Sequence, residues 1–189
     1  ELTRRKWFLL VREAVALAQK HHLSHIVLDW SSLTNFPILK KDNVERLALL
    51  VTENLLLAGY TFHQYKKKDT ETYHGLKHIA LLVEEKALPL VKKGVARGMV
   101  HGEYMNWYRD LANIPGNDMT PKLLASAVKK AVSTAKNSKL SLKILSQKEI
   151  ERLCMGGVLA VVKGIKEKSQ FIILEYRGSK KNEAPIVLV

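Results

Sequence analysis

Cysteine is almost absent from this sequence. The one thiol, Cys154, can form no internal disulfide, so packing rather than cross-linking must hold the 189-residue chain together. Its amphipathic setting, Ile150-Glu151-Arg152-Leu153-Cys154-Met155, points to a buried and inert sulfur, with no basic surroundings to make it reactive. A reducing cytoplasmic compartment is the simplest expectation. Long apolar runs are missing too. The best, such as 79–83, are strand-sized and fall far short of the roughly 18 residues that cross a bilayer. No secretory leader is visible: the chain opens on Glu1-Leu2-Thr3-Arg4-Arg5, charged and helical in pattern. That opening is abrupt, as though earlier elements are missing.

Acidic residues are few. Asp and Glu number 18 against 31 Lys and Arg, a formal charge of +13 that raises a nucleic-acid-binding module as one reading. The basic residues are scattered, however, in short groups at 4–6, 66–68, 92–93, 129–130 and 180–181. Such groups mark solvated faces more readily than one continuous groove.

Familiar catalytic patterns are also lacking. There is no His-Glu-x-x-His, no Gly-x-Ser-x-Gly and no Gly-Lys-Ser/Thr phosphate loop. Seven histidines invite a metal reading: His21, His22, His25, His63, His74, His78 and His101. His74 and His78 have i, i+4 spacing, but on a strand those positions stand about 13 Å apart. All seven read as ordinary surface or core histidines. Glu84 and Glu85 are adjacent on an expected strand and point to opposite faces, so they cannot share a proton or a metal. Gly94, Gly98 and Gly102 recur every fourth residue, as on a close-packing helix face. Read by itself, the chain offers no catalytic, cofactor-binding or metal-binding residue.

What is present is an alternation of helix and strand. Thr3 caps an expected helix with apolar positions Phe8, Val11, Val15 and Ala18, ending near His21 and His22. A buried strand follows over 25–30, then a loop around Pro37, a helix over 44–57 ended by Gly59, a strand within 74–84 and a long helix over 87–112. This rhythm is that of an α/β layer structure. The turn chemistry of Asn113-Ile114-Pro115-Gly116-Asn117-Asp118 marks a boundary, and Thr120-Pro121 starts a new helix running to about 135. Beyond it come a strand at 140–145, a short helix at 147–153 broken by Gly156-Gly157, and three strands at 158–162, 171–176 and 186–189.

The segment Arg109-Asp110-Leu111-Ala112-Asn113-Ile114-Pro115-Gly116-Asn117-Asp118-Met119-Thr120-Pro121 is similar to the Arg-x-Leu-x-Asn-x-Pro-x-Asn-x-x-Thr-Pro segment of leucyl aminopeptidases. Others follow the same family in order. Gly59-Tyr60-x-Phe62-x-x-Tyr65-Lys66 resembles its Tyr-x-Phe-x-x-Tyr-Lys stretch. Met155-Gly156 and Lys163-Gly164 resemble a Met-Gly…Gly-Ser strand-turn, with Ile165 where serine is usual. Leu174-Glu175-Tyr176-x-Gly178 resembles a Tyr-x-Gly strand, and 185–189 the strand that leads into the active site.

The resemblance implies a partial macro-domain-like N-terminal α/β domain over 1–90, a connecting helix over 91–112 and the start of an α/β catalytic domain over 113–189. It implies a two-metal exopeptidase, with manganese or zinc, that removes leucine-like residues from peptides with a free N-terminus and assembles as a hexamer. The lysine, the carboxylates and the arginine that serve the family's metals and reaction would come after Val189. This segment is then scaffold, inert alone, and carries no metal. In some members backbone carbonyls of the 109–121 loop hold an accessory cation; of those positions Leu111 alone keeps its residue type, and no cation is expected there. Two rivals stand beside this reading: a nucleic-acid module, since some bacterial members also regulate DNA, and a purely structural homologue.

Overall fold

The computed structural model describes residues 2–66, 75–164, 167–178 and 183–189. The described chain is a mixed α/β structure that divides into two compact units, Glu1–Asn113 and Ile114–Val189.

In the first unit α1 (Arg4–Lys20) starts where the Thr3 side chain accepts from the Lys6 backbone N–H. Its buried stripe is Trp7, Val11, Val15 and Ala18. Trp7 rather than Phe8 takes the innermost place, because the indole N–H also donates to the Leu33 carbonyl at 2.7 Å. The helix closes with His22 left-handed (φ 55°), while Leu23 N–H donates back to Ala18 and His22 N–H to Gln19.

β1 (His25–Asp29) stops one residue earlier than expected. Trp30 is not in the strand but opens α2 (Trp30–Thr34), because Asp29 caps that helix, accepting from Ser32 N–H at 2.8 Å. The expected loop thus holds a short helix and a 3₁₀ turn at Pro37–Leu39. α3 (Val44–Ala58) is capped by Asn43. β2 (His78–Leu82) pairs in parallel with β1, His25 opposite His78 and Asp29 opposite Leu82. Ile26, Leu28, Ile79 and Leu81 lie on one half-buried face and the alternate residues on an exposed one.

The long α4 (Leu88–Asn113) lies on α3. Gly94, Gly98 and Gly102 meet α3 at Ala48, Thr52 and Leu56, four residues apart on both helices, so the pair runs in the same direction. A Cβ on Gly98 would lie 2.6 Å from the Leu49 carbonyl oxygen, and one on Gly102 2.6 Å from Leu56 Cδ1. The glycine face expected from the sequence therefore brings α4 against the α3 backbone at Gly94 and Gly98 and against the Leu56 side chain at Gly102. Glu84 and Glu85, expected on a strand, are not: β2 ends at Leu82, Glu84 pairs with Lys86 at 2.8 Å, and Glu85 begins a 3₁₀ turn.

In the second unit α5 (Pro121–Ala135) begins at Thr120, which accepts from Leu123 N–H, with proline at the first turn. β3 (Leu140–Ser146) and β4 (Gln170–Tyr176) form an antiparallel pair. α6 (Gln147–Arg152) opens with a capping box between Ser146 and Glu149. Three expectations fail here. Residues 158–162 are not a strand: 158–161 lie in α7 (Gly156–Val161) and Val162 is its C-cap. Met155, Val158, Leu159 and Val162 are the partly buried positions, which is helical spacing. Residues 186–189 form no strand; among the described residues none pairs with them, and Ile186 and Leu188 are 92% and 93% exposed. Cys154 is exposed rather than buried. It takes the left-handed position (φ 55°) that ends α6, where Cys154 N–H donates to Glu151 and Met155 N–H to Ile150, turning the thiol outward. Among the described residues no helix is long and apolar enough to cross a membrane.

Candidate functional site

The two resemblance segments of the first unit, around Tyr60 and around Arg109, meet in space. α3 delivers Tyr60 just past its Gly59 cap, and the last turns of α4 deliver Asn106, Arg109, Asp110 and Asn113. The Arg109 guanidinium sits 3.8 Å from the Tyr60 ring centroid, a cation–π contact. It also donates to the Leu57 carbonyl at 3.1 Å and to Asn106 Oδ1 at 3.2 Å. Asn106 Nδ2 donates to the Leu56 carbonyl at 3.1 Å. The last carbonyls of α3, which have no partner inside their own helix, are thus met by side chains of α4.

The Tyr60 hydroxyl donates to Asp110 Oδ1 at 2.8 Å and accepts from Asn113 Nδ2 at 3.1 Å. Partial burial pushes its pKa above the ordinary 10.0; the Asn113 donor opposes this and the Asp110 carboxylate reinforces it. The phenol accordingly stays protonated and donates. Tyr60, Asn106, Arg109, Asp110 and Asn113 each make at least one contact with another protein group. The cluster fastens the end of α3 to the end of α4. Beyond Asn113, Asp118 N–H and Met119 N–H both donate to the Pro115 carbonyl at 2.9 Å, forming the turn that precedes α5.

Ion pairs join the two helices upstream. Glu45, in the first turn of α3, is held by Lys93 Nζ at 3.0 Å and an Arg97 guanidinium nitrogen at 2.8 Å. The Arg97 and Lys93 donors keep its carboxyl below the usual 4.5. His101 Nδ1 stands 3.5 Å from Glu53 Oε2.

The histidines are distributed as follows. His21 caps the end of α1 and His22 is its left-handed residue; the His63 carbonyl accepts from Lys66 N–H; His74 lies outside the described residues. His25 and His78 come together, stacked across β1 and β2 with ring centroids 4.7 Å apart and planes 19° from parallel. The chain alone could not place those two side by side, because strand register is a tertiary property. Among the described residues no three of His, Cys, Asp and Glu stand close enough to hold a metal ion. The described residues therefore do not fit the two-metal centre that the resemblance implies.

Of the other matched positions, Met155 precedes α7, Gly164 is left-handed (φ 112°), and Leu174, Glu175 and Tyr176 lie on β4; Ile165 is outside the described residues.

Comparison with known proteins places these features in a family. Residues 106–189 match the sequence pattern of the cytosol aminopeptidase family, catalytic domain. A probable cytosol aminopeptidase of Ralstonia nicotianae is 34% identical over 193 aligned positions, covering 100% of this chain and 37% of that protein. One from Paraburkholderia phymatum is 40% identical over 144 residues, 76% of this chain and 27% of that protein. The chain thus spans about a third of the length of these curated relatives. Among solved structures, a mutant of tomato leucine aminopeptidase superposes with a TM-score of 0.72 at 21% identity, covering 96% of this chain and 35% of that one. The bottromycin maturation enzyme BotP, in complex with Mn, also gives 0.72, at 19% identity over 92% of this chain and 33% of its own. At that identity the likeness is one of fold.

Proposed function

We propose, because this chain belongs to the cytosol aminopeptidase family, that it is the scaffold portion of a longer metal-dependent aminopeptidase. The complete protein removes N-terminal residues, leucine-like ones preferred, from peptides, using two divalent ions, manganese or zinc. A metal-bound water, its pKa lowered from about 15.7 to about 7, is the nucleophile such ions supply. The ligands for those ions lie outside residues 1–189. Within them, 1–90 is the N-terminal domain, 91–112 the connecting helix and 113–189 the first layer of the catalytic domain. A hexameric assembly in the cytoplasm completes the reading.

The observation that carries it is the alignment of the Ralstonia nicotianae relative along the whole chain, 34% identical. The Tyr60–Arg109 cluster supports the scaffold role, since its contacts hold two helices together. The decisive assay uses leucine amide with added Mn²⁺ or Zn²⁺. The 189-residue chain is expected to give no turnover above blank, and the same chain extended through the length of its relatives is expected to hydrolyse the amide. Turnover by the short chain overturns the scaffold assignment; an inert extended protein overturns the enzymatic one.

A further inference from the structure

We propose that His25 and His78 form a surface clip for one divalent transition-metal ion that favours imidazole, copper(II) foremost.

Three observations converge. First, the parallel register sets His25 directly opposite His78, so both rings project from the same exposed face of the sheet. Second, the rings lie with centroids 4.7 Å apart and only 19° from parallel. An ion with nitrogen bonds of about 2.0–2.1 Å needs two ligand nitrogens about 3 Å apart at right angles, and a tilt of the two rings toward each other supplies that span. Third, one ring is already oriented: Ser24 Oγ lies 2.8 Å from His25 Nδ1. A hydrogen bond from the second ring nitrogen to a neighbouring oxygen is the support that metal-binding histidines ordinarily have, and it leaves Nε2 of His25 as the ligand atom.

Two imidazoles and water suit copper(II) and nickel(II), and affinity should fall in the order copper, nickel, manganese. Next to the pair on this face stand Val27 and Ala80, which offer no competing ligand and no charge; the face's carboxylate, Asp29, lies opposite Leu82 at the far end of the strands, about 13 Å along β1 from His25. Binding needs each ligand nitrogen unprotonated, so the ion displaces a proton from any ring that carries one.

The test is calorimetric titration of the 189-residue chain with Cu²⁺, Ni²⁺ and Mn²⁺, together with NMR spectra of its imidazole resonances. The expected result is that sub-stoichiometric Cu²⁺ broadens the His25 and His78 signals together and before those of His101. His25→Ala and His78→Ala should each abolish that binding step, while His101→Ala leaves it intact. Ser24→Ala should weaken it about tenfold, the usual effect of losing such a supporting contact. Because both rings are exposed, the variants should keep the parent's metal-free melting curve. The NMR arm on the unaltered chain decides the matter if they do not. Binding that persists in the double variant, or broadening of only one of the two rings, overturns the proposal.

Discussion

Gly98 lies against Leu49 so closely that one added carbon would stand 2.6 Å from the Leu49 carbonyl oxygen. The obstacle is backbone, which cannot swing aside. Gly98→Ala should therefore cost about 1–3 kcal/mol of stability, the usual penalty of overpacking. Gly116 meets nothing within 4 Å and has no left-handed φ. Gly116→Ala should be neutral or stabilising by up to about 1 kcal/mol, because the unfolded chain loses freedom. Urea midpoints of the two variants measure the difference.

The pairing of Glu45 with Lys93 and Arg97 predicts an acid limb in the stability curve. Those donors hold its folded pKa below the ordinary 4.5. A carboxyl with a depressed folded pKa contributes stability above its unfolded value and loses it as pH falls through the folded one. Stability should accordingly drop as pH falls below 4.5. Glu45→Gln should be less stable than the parent at pH 7 and show a shallower acid decline. Some decline should remain, since Ser31 and Ser32 lower the Asp29 carboxyl and Ser146 lowers that of Glu149. Thermal melts across the acid range check both points.

At the other end of the same helix pair, the Tyr60 hydroxyl should couple energetically to Asp110 and Asn113. Tyr60→Phe keeps the ring under Arg109 but removes one donor and one acceptor. A double-mutant cycle with Asp110→Asn should give a non-zero interaction term, the combined loss being smaller than the sum of the single losses. Strict additivity in urea denaturation would show that the contact carries no stability.

Thr120 offers a test within the second unit. Its side chain accepts from the Leu123 N–H at the start of α5. Thr120→Ala should cost about 1 kcal/mol and Thr120→Ser almost nothing, since serine can cap equally well. Circular dichroism during denaturation reports the difference.

How much of this was legible beforehand depended on the range of the interactions. Thr3 and Thr120 were readable as caps because a side chain bonding to a backbone N–H three residues on is a local event. Periodicity placed α1, α3, α4 and α5 for the same reason. Residues 158–162 resemble a buried strand as a short apolar run, yet the partly buried Met155, Val158, Leu159 and Val162 carry helical spacing. The exposure of Cys154 follows from a left-handed helix ending, which composition does not announce. Strand 186–189 was expected from its apolar residues, yet a strand needs a neighbour to bond with. The meeting of Tyr60 with Arg109, and of His25 with His78, spans some fifty residues of sequence in each case and was not legible at all.

Among the described residues no third strand pairs with either two-stranded sheet, so both outer edges of each are without a strand neighbour. On β1 and β2 the exposed face beside these edges carries Val27 and Leu82, 69% and 64% open to solvent. Such rims invite a second molecule to zip on. A formal charge of +13 opposes such association by mutual repulsion. That repulsion reaches about 8 Å in physiological salt and only about 3 Å at 1 M. The chain should therefore stay dispersed in dilute buffer and gather as salt is raised, the reverse of a protein held together by ion pairs, and light scattering along a salt gradient would register the change.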